Sequence, residues 1–247
     1  MARVVKLTLQ YDGTDYVGWQ RQPNGTSIQG LIEEALEPIE GGRVTVHGAG
    51  RTDAGVHALG QVASVTLASR IDASTLGRAL NAVLPPDVRI VHVEEVDENF
   101  HARFSAAAKT YEYRILNAPL VSPFTHRYVW HIIQPLGIDA MREAAVALVG
   151  AHDFAAFQGA GSPVESTERV IDRIDWEIGG DERPLVVRLT GNGFLRHMVR
   201  NIVGTLVEVG TGRWPAPCVA DILASGDRTL AGPTAPPHGL FLVRVDY

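Results

Sequence analysis

The stretch Gly48-Ala-Gly-Arg-Thr-Asp-Ala-Gly-Val-His-Ala-Leu-Gly60 sets one carboxylate, Asp53, among four glycines and puts a guanidinium, Arg51, two residues away. Glycines let a substrate or another backbone approach closely. A neighbouring guanidinium keeps a carboxylate ionised and oriented, which is the state a nucleophile requires. An aspartate at a turn also bonds its own loop amides, so on these features alone Asp53 reads equally as a nucleophile and as a turn residue. Two phosphate-binding readings fail. Gly50 and Gly55 have P-loop spacing, but Val56-His57 stands where Lys-Ser/Thr belongs. Gly48-x-Gly50 opens a dinucleotide fingerprint, but Asp53 occupies the third glycine position and a strand follows instead of a helix. His47, Asp53 and His57 have no second carboxylate or cysteine nearby, so no metal is expected.

A second cluster, Phe100-His-Ala-Arg-Phe-Ser-Ala-Ala-Ala-Lys-Thr-Tyr-Glu-Tyr-Arg114, interleaves basic groups with aromatic rings. Tyr111 and Tyr113 share one face of a strand because side chains alternate. Such a composition suits base stacking beside phosphates, and a core strand with two buried tyrosines has the same pattern. The third cluster runs from Gly191 to Glu208. Leu195, Met198, Val199, Ile202, Val203 and Leu206 form an apolar stripe at helical spacing. Arg196 and Arg200 lie one turn apart on another side with His197, Asn201 and Gly204. A helix N-terminus after Gly191-Asn-Gly193 favours an anion, and a surface helix with solvated arginines reads the same way.

The elements that must position these groups follow from periodicity. Val5–Tyr11 alternates apolar and polar residues as a half-buried strand does. Thr26 with Gln29 predicts a capping box, and Ile28, Leu31, Ile32, Ala35, Leu36 and Ile39 predict the helix after it. Strands are predicted at 43–48, 61–68, 88–96, 108–116, 169–178, 185–191 and 240–246. Helices are predicted at 72–84, where Pro85-Pro86 stops the run, and at 137–149, 195–209 and 215–225. Helices mixed with strands able to pair antiparallel argue for an α+β fold. The helix at 137–149 follows its strand much as the one at 27–39 does, which hints at two related α/β halves. The expected division is 1–106, with the Asp53 loop, and 107–247, with Tyr111 and the arginine helix.

Length and composition narrow the class. The chain has 247 residues, 45% of them hydrophobic and 20% charged, as in ordinary globular proteins. A single cysteine, Cys218, excludes an intrachain disulfide. The longest apolar stretch, Ala144–Ala151, falls far short of the ~20 residues of a membrane span, so the expected location is cytoplasmic. The net charge of −6 hides a division. Residues 99–130 and 183–214 carry nine of the 22 basic residues and two of the 28 acidic ones. A surface divided this way suits a polyanion gathered in one basic cleft.

Four motifs recur in the order and spacing of the tRNA pseudouridine synthase A family: Tyr11-Asp-Gly-Thr-Asp-Tyr-Val-Gly-Trp-Gln-Arg-Gln22, Ala49-Gly-Arg-Thr-Asp-Ala-Gly-Val-His57, Phe100-His-Ala-Arg-Phe-Ser105 and Asn192-x-Phe-x-x-x-Met-Val-Arg-Asn201. The chain resembles that family from Leu7 to Tyr247, least well over 159–183. The resemblance implies the pseudouridine synthase fold, in which two related α/β halves join mixed, largely antiparallel sheets across a central basic cleft, in a homodimer. It implies isomerisation of uridine to pseudouridine at positions 38, 39 and 40 of the tRNA anticodon arm, without cofactor or metal. Asp53 then matches the catalytic aspartate, Tyr111 the tyrosine that stacks on the uracil, and Arg200 the basic partner of the aspartate. Leu240 matches the apolar residue against the target base, and Arg51, Arg103, Gln20 and Arg21 belong to the RNA-contacting surround. The reading from another class is a non-catalytic RNA-binding module with a structural Asp53.

Overall fold

A computed structural model of the chain describes residues 2–161, 164–180 and 183–247. Two compact units form. The first takes in the residues up to Ala107 together with Phe241–Tyr247, and the second is Ala108–Leu240.

In the first unit, β1 (Arg3–Tyr11) buries Val5, Leu7, Leu9 and Tyr11 as the alternation predicts, while Gln10 is exposed. It pairs antiparallel with β4 (Val88–Val96) on one side and β3 (His57–Leu67) on the other. The short β2 (His47–Gly48) runs antiparallel to β3, and β10 (Leu240–Asp246) runs parallel to it. As the central strand, β3 is buried on both faces except at Leu59 and Thr66. Helices α1 (Ile28–Glu40) and α2 (Ala73–Val83) touch each other, and α2 packs on β4. Asp72 caps α2 by accepting the Thr75 N–H at 2.9 Å.

Two predicted details shift. The cap of α1 is Ser27, whose Oγ accepts the Gly30 N–H, and not Thr26. Thr26 is held outside the helix because its carbonyl accepts the Val17 N–H at 3.0 Å. Gln29 turns away from the cap and bonds Arg21 N–H, Glu33 and the Val46 carbonyl. The predicted strand at 43–48 shrinks to two residues, because the Val46 backbone bonds Glu33 and Gln29 of α1 instead of a neighbouring strand.

The second unit pairs β5 (Ala108–Asn117), β9 (Leu185–Gly191), β8 (Glu168–Glu177) and β7 (Gly150–Asp153) antiparallel in that order, with β6 (Trp130–Ile132) parallel to β5. Tyr111, Tyr113 and Ile115 of β5 and Leu185, Val187 and Leu189 of β9 form a continuous buried face. Three helices follow: α3 (Ile138–Ala145), α4 (Met198–Gly210) and α5 (Cys218–Ser225). The helix predicted at 137–149 tightens into a 3₁₀ turn after Ala145.

The α4 segment departs most from its sequence reading. It starts at Met198, because His197 takes a left-handed backbone (φ 60°) and the Arg196 carbonyl accepts the Gly159 N–H at 2.7 Å. Arg196 therefore precedes the helix and does not stack one turn before Arg200. The helix is not a surface one either: Asn201, Gly204 and Thr205 are as buried as the apolar stripe. Asn201 is fully enclosed, donating to the Phe157 carbonyl and accepting from Arg228 and Thr234. Gly204 lies against the Pro233 carbonyl so closely that a Cβ would overlap it.

Asn201→Ala leaves the Phe157 carbonyl and the Arg228 and Thr234 donors without this partner in the interior. The expected cost is about 2–4 kcal/mol, read as a lower urea midpoint with an unchanged m-value.

Candidate active site

The loop 49–56 carrying Asp53 has no regular structure, so its shape comes from neighbours. The Trp19 N–H donates to the Thr52 carbonyl at 3.0 Å, and the Ala49 N–H to the Val62 carbonyl at 2.7 Å. Tyr11 Oη and Thr52 Oγ1 share a buried hydrogen bond of 2.8 Å, and Gln61 Nε2 donates to the Gly50 carbonyl at 2.9 Å. Gly18, at φ 104°, brings the 12–19 segment backbone to backbone against Thr52 and Asp53, where a Cβ would come within 2.5 Å of the Thr52 carbonyl. Gly13 meets the Val56 carbonyl in the same way. These two approaches are why the Tyr11–Gln22 motif contains glycines at those places.

Asp53 is half-buried at the crest of this loop, with its own carbonyl closing a turn to the Val56 N–H at 3.1 Å. His57, at the loop's exit, is buried and stacks on Phe241 with ring centres 4.7 Å apart. Its Nδ1 accepts the Gly13 N–H at 3.0 Å and lies 3.1 Å from an Asp12 carboxylate oxygen. Among the described residues no group of three His, Cys, Asp or Glu side chains is placed to hold a metal ion.

Four further residues named from the sequence lie in this first unit. Arg51 is exposed at the start of the loop. Gln20 is exposed, and Arg21 beside it is held by Glu33 at 3.7 Å and Glu34 at 3.3 Å. Arg103 is exposed, with its guanidinium 5.6 Å from the Phe104 ring centre.

The second unit holds the other three. Tyr111 on β5 is 7% exposed and meets Phe194 edge-on at 5.1 Å. Arg200, in the first turn of α4, donates through Nε to the Ala235 carbonyl at 2.7 Å while its own carbonyl accepts the Ala235 N–H. That reciprocal pair fixes the base of the guanidinium side chain. Leu240 is buried at the head of β10. Tyr113, two residues along from Tyr111, donates to the Pro236 carbonyl at 2.7 Å, and burial holds its phenol strongly protonated against the opposing charge of Arg200.

Several groups that hold the candidate site residues in place escaped the sequence reading. The Tyr11–Thr52–Gln61 seat joins three separate segments, and only the tyrosine ending an alternating strand hinted at it. Phe194 sits inside a quoted motif, yet nothing in its spacing pointed to Tyr111. The basic runs are also less available than their composition suggests. Glu112 is buried and bonds Arg114 Nε and Arg188 Nε at 2.7 Å each, and Arg213 is held by Glu208.

Burial pushes the Tyr11 phenol up to about 12, while the Thr52 and Gln61 bonds act in the opposite direction. Unfolded tyrosine ionises near pH 10, so folded Tyr11 keeps a proton that the unfolded chain gives up. Its stabilising contribution is whole below pH 10 and is lost as pH rises to about 12. Tyr11→Phe should make the alkaline fall in unfolding free energy shallower by about 1.4 kcal/mol per pH unit, as followed by urea denaturation.

Residues 8–105 and 144–247 match the tRNA pseudouridine synthase family. A tRNA pseudouridine synthase A of Myxococcus xanthus is 49% identical over 244 residues, covering 98% of this chain and 91% of its own. One of Thermoanaerobacter sp. (strain X514) is 46% identical over 245 residues, covering 99% and 100%. One of Syntrophotalea carbinolica is 45% identical over 244 residues, covering 99% and 96%. The α+β architecture with its mixed sheet is accordingly the pseudouridine synthase fold. Since the matched segments include all four motifs and identity extends over nearly the full length, this chain belongs to the tRNA pseudouridine synthase family.

Proposed function

We propose that the chain isomerises uridine to pseudouridine at positions 38, 39 and 40 in the anticodon arm of tRNA. The observation that carries this reading is the seat of Asp53. The glycine-lined loop that carries this carboxylate is held by backbone contacts from the 12–19 segment and from β3, which fixes where the carboxylate emerges, as a nucleophile requires.

The reaction breaks the N1–C1′ bond, turns the uracil and joins its C5 to C1′. The C5 proton is released, N1 gains one, and the overall composition does not change. Asp53 supplies the carboxylate, which adds to C1′ as in glycosidases or to C6 of the ring. Tyr111 stacks on the extruded base, and its hydroxyl relays the C5 proton, handing its own proton to solvent as its oxygen accepts the one from carbon. Arg200 serves as the ionic partner of the carboxylate, and Leu240 as an apolar contact for the base. Arg51, Arg103, Gln20 and Arg21 contact the RNA around it. No cofactor or metal takes part in this scheme. The chain acts in the cytoplasm as a homodimer, which sedimentation velocity at micromolar concentration tests. No helix of the described residues is long and apolar enough to cross a membrane.

Asp53→Asn is expected to abolish release of tritium from C5-labelled uridine in tRNA while tRNA binding stays within a few-fold. The amide keeps size and hydrogen bonding but is no nucleophile. Retention of more than about a hundredth of the wild-type rate would remove Asp53 from the role. Tritium retained by the wild-type protein despite tight tRNA binding would instead favour the non-catalytic module.

Tyr111→Phe keeps the ring and removes the hydroxyl. Single-turnover rates at saturating enzyme should fall by on the order of 10²–10⁴ with binding unchanged. A Phe variant within two-fold of wild type would leave Tyr111 as a stacking surface only.

A further inference from the structure

The Phe100–Ser105 motif has a part that the proposed chemistry does not use. Phe104 is 77% exposed. Its neighbours are planar polar groups. The His101 ring lies 4.4 Å away, the His47 ring 4.9 Å beyond that, and the Arg103 guanidinium sits 5.6 Å from the Phe104 centre. The row of rings is thus His47, His101 and Phe104, ending in a phenyl group that faces solvent.

The row is built, not incidental. His101 N–H donates to Ser105 Oγ, Ser105 N–H donates to the His101 carbonyl, and His101 Nδ1 accepts the Arg103 N–H at 3.1 Å. The turn is pinned from below, because the Ala102 N–H donates to Ser64 Oγ and the Ala102 carbonyl accepts from Tyr247 Oη. Ser64 is also the β3 residue opposite His47, so one residue aligns both ends of the row. Tyr247 meets Phe100 at a tilt with ring centres 4.9 Å apart, and Lys6 Nζ lies 4.8 Å from the Tyr247 ring centre. Burial, and then the neighbouring His47, lower the His101 pKa, in keeping with Nδ1 acting as an acceptor. Arg103 adds a permanent cation at the Phe104 end of the row.

We propose that the Phe104 face is a second base-stacking site, which takes an unpaired nucleobase of the RNA substrate other than the target uridine. A phenyl ring backed by imidazoles offers a sequence-tolerant surface to any base, and the adjacent guanidinium meets the phosphate that accompanies it. An apolar protein surface would be met by aliphatic groups, and the stack contains none. The row's far end, His47, lies on β2, which leads directly into the Asp53 loop, so the stacked base would help to hold the RNA strand near the reacting nucleotide. This inference rests on the proposed action on tRNA.

The test compares Phe104→Ala, Phe104→Leu and Phe104→Trp in the full-length protein, with unmodified tRNA transcripts as the probe and thermal melting to check folding. Phe104→Ala should weaken tRNA binding roughly ten-fold or more, with an unchanged slope of log affinity against log salt. Phe104→Trp should bind at least as well as wild type, while Phe104→Leu should resemble the alanine variant. Arg103→Gln, by contrast, should lower the salt slope by about one unit. A leucine variant equal to wild type would show a plain apolar contact and overturn the proposal, as would an alanine variant within two-fold. Tritium release by the wild-type protein is measured alongside. Release with an indifferent Phe104 sinks the stacking site alone. Stacking behaviour without release supports the site and sinks the catalytic reading.

Discussion

The Asp53 carboxylate is carried by a chain segment with no secondary structure of its own, so its place depends on what the neighbouring segments do to that loop. The constraint is met by backbone-to-backbone contact, which only glycine permits at Gly13 and Gly18, and by a buried hydroxyl pair between Tyr11 and Thr52. Tyr11 ends β1, Gln61 lies within β3, and Trp19 precedes α1, so three elements converge on one loop. The first N–H groups of α1 take part as well. Those of Ile28 and Gln29 donate to the Gly18 and Trp19 carbonyls, tying the helix entrance to the segment that braces Asp53. A shift of β1 against β3 would therefore be felt at the carboxylate. The 11-residue β3, buried on both faces, resists such a shift.

The second unit solves a related problem by different means. Its central helix, α4, carries polar residues inside the protein, and every one of them is matched. Asn201 links the helix to Phe157, Arg228 and Thr234, and Thr205 accepts the Gly232 N–H. Buried polar networks of this kind reward complete satisfaction and penalise a single gap. Gly204 lets the 233–235 segment lie directly on the helix, and that segment returns the Ala235 carbonyl to Arg200. The guanidinium side chain is oriented by the same packing that stabilises the helix.

Much of this was legible in the sequence, and what was not has physical reasons. Residue type and bounding turns located β1, β4, β5, β8, β9 and β10 to within two residues, and β1 shows the clearest contrast, with Val5, Leu7, Leu9 and Tyr11 buried and Gln10 exposed. Central β3 lacks that contrast, so its first four residues were read as loop. The α4 start was misplaced because the left-handed His197 depends on Gly159, far away in sequence. Asn201 and Gly204 looked like a solvated side because periodicity cannot tell a buried polar residue from an exposed one. The carboxylate, its glycines and the two tyrosines stood out by type and spacing. The groups that hold them did not, since Thr52, Gln61 and Phe194 act only through tertiary contact. Charge counting erred in a similar way. It registered Arg114, Arg188 and Arg213 as available cations, whereas Glu112 and Glu208 engage them.

The strand β10 has a temporal consequence. It pairs with β3, yet it is separated from it in the chain by the whole of the second unit. During synthesis the ribosome delivers β1, β2, β3 and β4 before the second unit and Phe241–Tyr247 after it, so the His57–Ala58 end of β3 lacks its β10 partner until the second unit has been made. His57 waits for Phe241, and the turn at Ala102 waits for Tyr247, over the same interval. An exposed central strand is the kind of edge that invites pairing with another nascent chain. The order of translation thus makes the first unit, though begun first, close only after the second has been made.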